Sequence, residues 1–326
     1  MRFIHSILAV NQAIAADGEQ NYDLPVNPLS VILLHLSPLN ETSTIANYAA
    51  MAGLLTGLDN IRMTYRGTSV LDLTGEDLVA FLTLATRFDI RQSNMVETDD
   101  DRRSLVIPIP LSRKPYDQQE CFPEVKRGES VLTCTWDIAA TPFDGLRISI
   151  ETIELPDATP THFQRITTIA QTFAATGPNH VDLPIGNVIR GILCFGTTGF
   201  AGATPAPTLG ELRLLLDNIE YGYSATDFEV SRAIAALTKG RLGAYSDHFH
   251  GVDASGGAQE DTQQQQHGIS KFDNYTYLDY DPTEDDAYSI VTGGAGRVHL
   301  RVDAETADAA RFLPIEKMEI AEFIRG

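Results

Sequence analysis

Two histidines one residue apart, His248-Phe249-His250, are the pair in this chain best spaced for metal chemistry. On a strand, positions i and i+2 point to one side, so both rings could reach one ion. The glutamate that a cupin-like metal site needs shortly afterwards is absent, the next being Glu260. A polar loop or subunit contact is the preferred reading, and a two-domain cupin metalloenzyme the lesser one. A second group, Asp279-Tyr280-Asp281 with Glu284-Asp285-Asp286, offers hard oxygen ligands that a structural calcium ion at a subunit junction could use. It lacks EF-hand spacing, and a solvated acidic loop is the simpler account, as it is for Asp99-Asp100-Asp101.

Other signals carry less chemistry. Trp136 and the rings of Phe272, Tyr275, Tyr277 and Tyr280 could stack on a sugar, although packing in cores and interfaces is the commoner use of such side chains. Gly293-Gly294-Ala295-Gly296 has neither the Lys nor the Ser/Thr of a phosphate loop and falls between two strand-like runs, so a hairpin turn is expected. Gly-x-Ser-x-Gly is missing, and no Ser-His-Asp or Cys-His set has a recognisable spacing. Cys121, Cys134 and Cys194 are an odd number spread along the chain and read as buried free thiols. No catalytic, cofactor-binding or metal residue is assigned, and no enzyme activity is expected.

The whole-chain numbers narrow the partners. In 326 residues, 43% are hydrophobic and 21% charged, which suits a folded protein of two units of roughly 150 residues. The net charge of −20, from 44 acidic and 24 basic residues, argues against direct nucleic-acid binding, which relies on Lys and Arg to neutralise phosphates. No apolar run approaches the roughly 18 residues of a membrane span. The first residues resemble a secretory signal faintly, but His5, Ser6, Asn11 and Gln12 interrupt the apolar stretch, and the same segment recurs in mid-chain.

That recurrence organises everything else. Shifted by 159 positions, residues 4–26 fall on 163–185 without a gap. Eight positions are identical: Ile7/Ile166, Gln12/Gln171, Ala15/Ala174, Ala16/Ala175, Gly18/Gly177 and the triplet Asp23-Leu24-Pro25 against Asp182-Leu183-Pro184. Ordinary composition would give about one or two. A second block follows at an offset of 151, where residues 60–65 and 211–216 read as strands. Each leads through a turn to a helix, over 78–87 and 228–239, opened by a hydroxyl N-cap with a carboxylate three residues on, Thr74 with Asp77 and Ser224 with Asp227. A short third echo sets Ser130-Val131-Leu132-Thr133 against Ser289-Ile290-Val291-Thr292.

Around these blocks the chain reads as short strands at 29–36, 104–111, 130–138 and 146–153, then 188–195, 287–292 and 297–303, all rich in Val, Ile, Leu and Thr. Residues 147–153 alternate apolar and polar, marking a strand with one buried face. Pro108 and Pro110 place 104–111 at a sheet edge, because proline cannot donate to a ladder. Many short strands with one helix per unit predict an all-β fold: two tandem eight-stranded antiparallel jelly rolls, 1–158 and 159–326, divided near Ala158 in the Pro-flanked 155–161 stretch. Residues 251–286 are expected to be a long surface excursion.

The motif Gly177-Pro178-Asn179-His180-Val181-Asp182-Leu183-Pro184, the strand over 186–195, the strand-turn-helix block and the tandem layout together resemble the double jelly-roll major capsid proteins of tailless icosahedral viruses, the lineage of membrane-containing bacteriophages and adenovirus. The resemblance spans nearly the whole chain. It implies a homotrimer whose six rolls form a pseudo-hexagonal tile, packed beside neighbouring capsomers, vertex proteins and minor capsid proteins in the virion shell. It further implies that 251–286 is an outer tower or intersubunit arm, and that 315–325 is a helix or arm docked on a neighbour. An internal viral membrane is implied by the family alone, and contact with it through the N-terminus is not expected, since the repeated strand begins almost at Met1. The reading set against this is a glycan-binding or carbohydrate-active tandem β-sandwich.

Overall fold

The computed structural model describes all residues except 1, 15–16, 41–50, 87–90, 94–101, 140, 142, 199–206, 240–249, 253–257, 261–273 and 324–326. The first half contains β1 (Ile4–Ile14), β2 (Asp17–Asp23), β3 (Leu29–Asn40), α1 (Met51–Thr56), β4 (Leu58–Tyr65), β5 (Thr68–Leu73), α2 (Gly75–Leu84), β6 (Arg91–Ser93), β7 (Ser104–Pro110), β8 (Ser130–Asp137) and β9 (Phe143–Glu154). The second contains β10 (His162–Thr167), β11 (Ile169–Thr172), β12 (Gly177–Asp182), β13 (Val188–Gly196), β14 (Leu209–Leu216), β15 (Ile219–Glu220), β16 (Thr226–Asp227) and α3 (Phe228–Lys239). It continues with β17 (His250–Val252), β18 (Ala258–Glu260), β19 (Tyr275–Asp279), β20 (Ile290–Val291), β21 (Val298–Ala304), β22 (Ala309–Glu319) and α4 (Ile320–Phe323).

Strand alternation decides how these elements stack. In β9, Ile148 and Ile150 are fully buried while Arg147, Ser149 and Glu151 are not, so the strand covers one side of a core. It lies in the order β1-β9-β3-β7-β6, and a facing sheet runs β2-β8-β4-β5. Ile32, Leu34 and Leu36 from the first sheet meet Ile61, Met63, Leu132 and Trp136 from the second. The second half repeats the plan, with β10 and β11 together taking the place of β1. One sheet runs from β19 through β13 and β22 to β10, and its partner runs β12-β21-β14-β15 over a separate core built on Ile192, Leu212, Leu300 and Phe312. Two facing antiparallel sheets with this order are a jelly roll, and the chain holds two.

The repeat extends to irregularities. The register of β1 slips between Ile7 and Ala9, and the corresponding strand of the second unit is interrupted at Thr168, the residue equivalent to Ala9. Gly18 and Gly177 both have positive φ, +146° and +107°, a conformation for which L side chains are poorly suited. Both copies of the Asp-Leu-Pro triplet end alike: the Leu24 amide donates to the Ser130 carbonyl and the Leu183 amide to that of Val298.

These bonds also correct the third echo. Ser130 opens β8, whose counterpart is β21 beginning at Val298, whereas Ser289-Ile290-Val291-Thr292 contributes only the two-residue β20, so the similarity is coincidental. Three further expectations change. The Thr74 side chain accepts from the Asp77 amide, so α2 starts at Gly75. Ser224 does not cap α3; its hydroxyl donates to Glu220, and Thr226 and Asp227 pair with β14 before the helix begins. Residues 315–319 belong to β22, and Met318 and Phe323 pack within the chain itself, not on a neighbour as an arm would. The edge placement of β7 holds in a specific way: β6 covers only Ser104 to Val106, leaving Pro108 and Pro110 beyond its end.

The two rolls are welded edge to edge. Strand β5 of the first pairs in parallel with β10 of the second, Ile166 opposite Leu71 and Thr167 opposite Asp72, which joins two four-stranded arrays into one sheet that counts ten strands with β11 and β20. Arg165 Nε donates to the Ser69 carbonyl at 3.0 Å and the Thr168 hydroxyl to that of Asp72 at 2.7 Å, extending the seam by side chains. Among the described residues no helix is long and apolar enough to cross a membrane.

Candidate functional site at the junction of the two rolls

Among the described residues, four buried charged side chains, Asp77, Glu120, Arg190 and Asp281, meet at the junction. Arg190 lies inside the otherwise apolar β13 and is 3% exposed, so its guanidinium must be paired within the protein. It donates through Nη1 and Nη2 to Glu120, at 2.5 and 3.2 Å, and through Nε and Nη2 to Asp286, at 2.6 and 3.2 Å. Glu120 comes from the loop between β7 and β8 of the first roll, and Asp286 from the loop after β19 of the second. One guanidinium therefore forks between both rolls. Arg113 adds bonds from Nη1 to Asp281 at 2.5 Å and to Asp286 at 3.3 Å, and Lys317 Nζ reaches Asp286 at 3.0 Å. Three carboxylates face three cations.

The electrostatics follow from that balance. Burial alone pushes the Glu120 carboxyl up, but the nearby His162 ring, the Arg190 guanidinium and the Arg113 amide outweigh it and hold the group at about 2. Asp286 is held well below the usual carboxylate range; burial opposes this, and hydrogen bonds and charge from Arg190 with Lys317 and Arg113 prevail. Arg190 is driven further up by the same two acids against its own burial.

A second knot lies on the other side of the joint. Asp77 in α2 has no solvent exposure and accepts from Arg311 Nη2 at 2.8 Å, Arg311 Nε at 3.0 Å and the Tyr275 hydroxyl at 2.8 Å. The Arg311 guanidinium also stacks 3.8 Å from the centre of the Phe195 ring. Between the knots the joint is apolar. The outer face of the second roll contributes Phe163, Leu193, Tyr277, Leu313 and Ile315 to the same core cluster as the first roll's interior. Across the joint Phe122 of the first roll packs against Phe163 of the second and Tyr65 against Phe323, each pair with ring centres 5.3 Å apart.

The residues that invited chemical readings are thereby placed. The acidic run after Tyr280 is a solvated loop only in part: Asp285 is exposed, but Asp281 is 3% exposed, and Asp281 and Asp286, the oxygens a calcium ion would want, are bound to Arg113, Arg190 and Lys317. Tyr275, Tyr277 and Tyr280 are buried in or beside β19, so the surface excursion expected over 251–286 does not extend through them, and they form no open sugar platform. Trp136 is a core residue of the first roll. Gly293 to Gly296 form a turn before β21, where the Gly296 and Arg297 amides donate to Asp217. Cys121, Cys134 and Cys194 are buried free thiols, and burial pushes the first two up to about 12. His248, Phe249, the side chain of His250, Phe272 and residues 99–101 lie outside the described residues. Among the described residues, no three His, Cys, Asp or Glu side chains converge as a metal site would require.

The sequence reading missed Glu120, Arg113 and Arg190, and took Asp77 only for a helix-opening carboxylate. A signal for one of them existed: a lone arginine in Val188-Ile189-Arg190-Gly191-Ile192-Leu193 is a charge committed to burial.

Fold and junction together define a double jelly roll, two rolls in one chain fused side by side. Solved structures with this arrangement match over nearly the full length. The major capsid protein P2 of bacteriophage PM2 aligns with 97% of this chain and 97% of its own, at 14% identity and a TM-score of 0.62. A chain from the atomic structure of Sulfolobus Turreted Icosahedral Virus aligns over 98% and 92%, at 11% identity and a TM-score of 0.66. One from the capsid of the virus PBCV-1 aligns over 97% and 93%, at 7% identity and a TM-score of 0.60. No protein-family profile and no curated protein sequence matches the chain.

Proposed function

We propose that the chain is a structural protein, the major capsid protein of a tailless icosahedral virus. The observation that carries this reading is the end-to-end similarity of both rolls, welded in one chain, to viral capsid proteins from hosts as different as bacteria and Sulfolobus. The physics of the joint supports it. A buried seam with two ionic knots makes the pair of rolls one stiff block, which a tile in a shell must be, and nothing in that joint is arranged for turnover.

On this reading the units divide near Ala158, three copies associate into a pseudo-hexagonal capsomer, and capsomers tile the shell of the virion beside vertex and minor capsid proteins. An internal membrane beneath the shell is part of the same proposal, as is the lack of a direct nucleic-acid contact, given the net charge of −20. The role calls for no cofactor; a calcium ion at a subunit contact is the one addition compatible with the acidic composition. The test is native mass measurement with electron microscopy of the purified chain over a range of salt and calcium concentrations. Trimers, and shells or flat hexagonal arrays at high concentration, are expected. Monomers under every condition would overturn the proposal.

A further inference from the structure

We infer that the groove around Tyr221, Tyr223 and Tyr288 on the second roll is the seat of strand β1 from a second copy of this chain. The inference rests on the shell-protein reading and names its inter-chain contact. It comes from the logic of the joint inside the chain.

Each roll has four sheet edges, two in each sheet, and the joint inside the chain uses two kinds of them. The first strand of a roll, β1 or β10, edges one sheet; the strand after the first hairpin of the facing sheet, β5 or β15, edges the other. Within the chain one edge of each kind is consumed, β5 receiving β10. The equivalents of these two edges in the other roll, β1 and β15, lie in different sheets, and among the described residues each pairs with a strand on one side only. A heterologous contact that repeats the internal one would join β15 of one copy to β1 of the next.

The surfaces agree with that assignment. At the internal joint, a pocket is lined on the first roll by Phe81 on α2, Ala85 just after it and Ser112 to Pro115 in the loop after β7, and on the second by Gln164, Arg190, Tyr277 and Ile315. At the equivalent place the second roll has an open groove of about 530 Å³, built from Ile234 on α3 and from Pro282 and Tyr288 in the corresponding loop, with Tyr221 and Tyr223 along its side. Eight of the thirteen exposed large apolar side chains among the described residues sit on or beside the same two edges. Phe3, Ile4, Ile7 and Val10 line the start of the chain and β1, with Val10 70% exposed. Tyr221 and Tyr288 line the groove, while Ile219, at 73%, lies on β15 and Val230 on α3. Apolar groups left in water on two complementary edges mark surfaces that become covered.

The register follows from the repeat. Ile166 opposes Leu71 in the internal joint, and Ile7 is the counterpart of Ile166. Leu71 pairs with Met63 on β4, whose counterpart Leu214 accepts from the Tyr221 amide. Ile7 of one copy therefore meets Tyr221 of the next, with β1 running parallel to β15 and the residue that follows it.

The test is a full-length Ile7→Cys/Tyr221→Cys double variant, oxidised under native conditions and run on a non-reducing denaturing gel, with both single variants as controls and native mass measurement alongside. The three natural cysteines are buried and silent. Covalent dimers and trimers ending at three are expected from the double variant and neither single variant. Because Val10 is exposed, Val10→Asp should leave the thermal midpoint of the isolated chain unchanged while lowering the trimer fraction at least tenfold. A trimeric double variant that does not cross-link would overturn the edge assignment and leave the shell reading standing. Cross-linking of a single variant would mean a twofold contact, and a ladder continuing past three an open chain; either refutes the closed ring. A protein monomeric at every concentration would remove both this inference and the reading beneath it.

Discussion

Replacing Glu120 by glutamine tests whether the ionic seam holds the rolls together. The substitution keeps the shape and removes one charge from a site that is 2% exposed. A carboxyl that titrates near 4.5 in an unfolded chain and at about 2 in the native protein is stabilised in its ionised form by about 3 kcal/mol. Removing one partner of a buried pair costs a similar ~3 to 5 kcal/mol, and the low end applies because Arg190 keeps Asp286. The sign with pH follows from the direction of the shift. The folded value lies below the unfolded one, so the contribution is complete above pH 4.5, declines as pH falls and is gone below about pH 2. Urea unfolding read by fluorescence of Trp136, the single tryptophan and a core residue of the first roll, would measure it, with both proteins at one concentration. The variant should be less stable by about 3 kcal/mol at pH 7, with the gap closing through that acid window. A gap under ~1 kcal/mol at pH 7, or one that stays constant down to pH 2, would refute the account of the seam.

Asp77→Ala should cost about 3 kcal/mol in the same assay, because it strands the Arg311 guanidinium and the Tyr275 hydroxyl beside a buried helix; a neutral result would mean that water replaces the carboxylate. Gly191→Ala should destabilise by about 1 to 3 kcal/mol in thermal melts, since its Cβ would lie 2.1 Å from the Tyr277 hydroxyl, at the end of a buried, rigid ring. Gly18→Ala and Gly177→Ala should each cost about 1 to 3 kcal/mol, and by similar amounts; a large asymmetry would contradict their equivalence in the two rolls. Cys121, Cys134 and Cys194 should all resist an aromatic disulfide reagent in the native protein and all react in denaturant; fast labelling of any one would contradict its burial.

The repeat was written in the sequence because it is local. Gly18 and Gly177 take positive φ at the start of equivalent strands, the Asp-Leu-Pro triplets end those strands, and the alternation in β9 follows from the pleat alone. Two jelly rolls could thus be inferred from short-range constraints repeated at a fixed spacing. Short matches without such a constraint misled, as the alignment of Ser130 with Ser289 did, since four apolar or hydroxyl residues fit any strand.

What tertiary structure alone decided is how the rolls meet and which charges are buried. Glu120, Arg190 and Asp286 are separated by 70 and 96 residues, and no local pattern ties them. Whether a carboxylate is solvated depends on neighbours brought from elsewhere in the chain, so the run after Tyr280 looked like a wet loop until Arg113, Arg190 and Lys317 were placed beside it. The parallel seam between β5 and β10 is equally non-local: each strand carries the pattern of a sheet edge, and only the packed faces on either side determine which edge it joins.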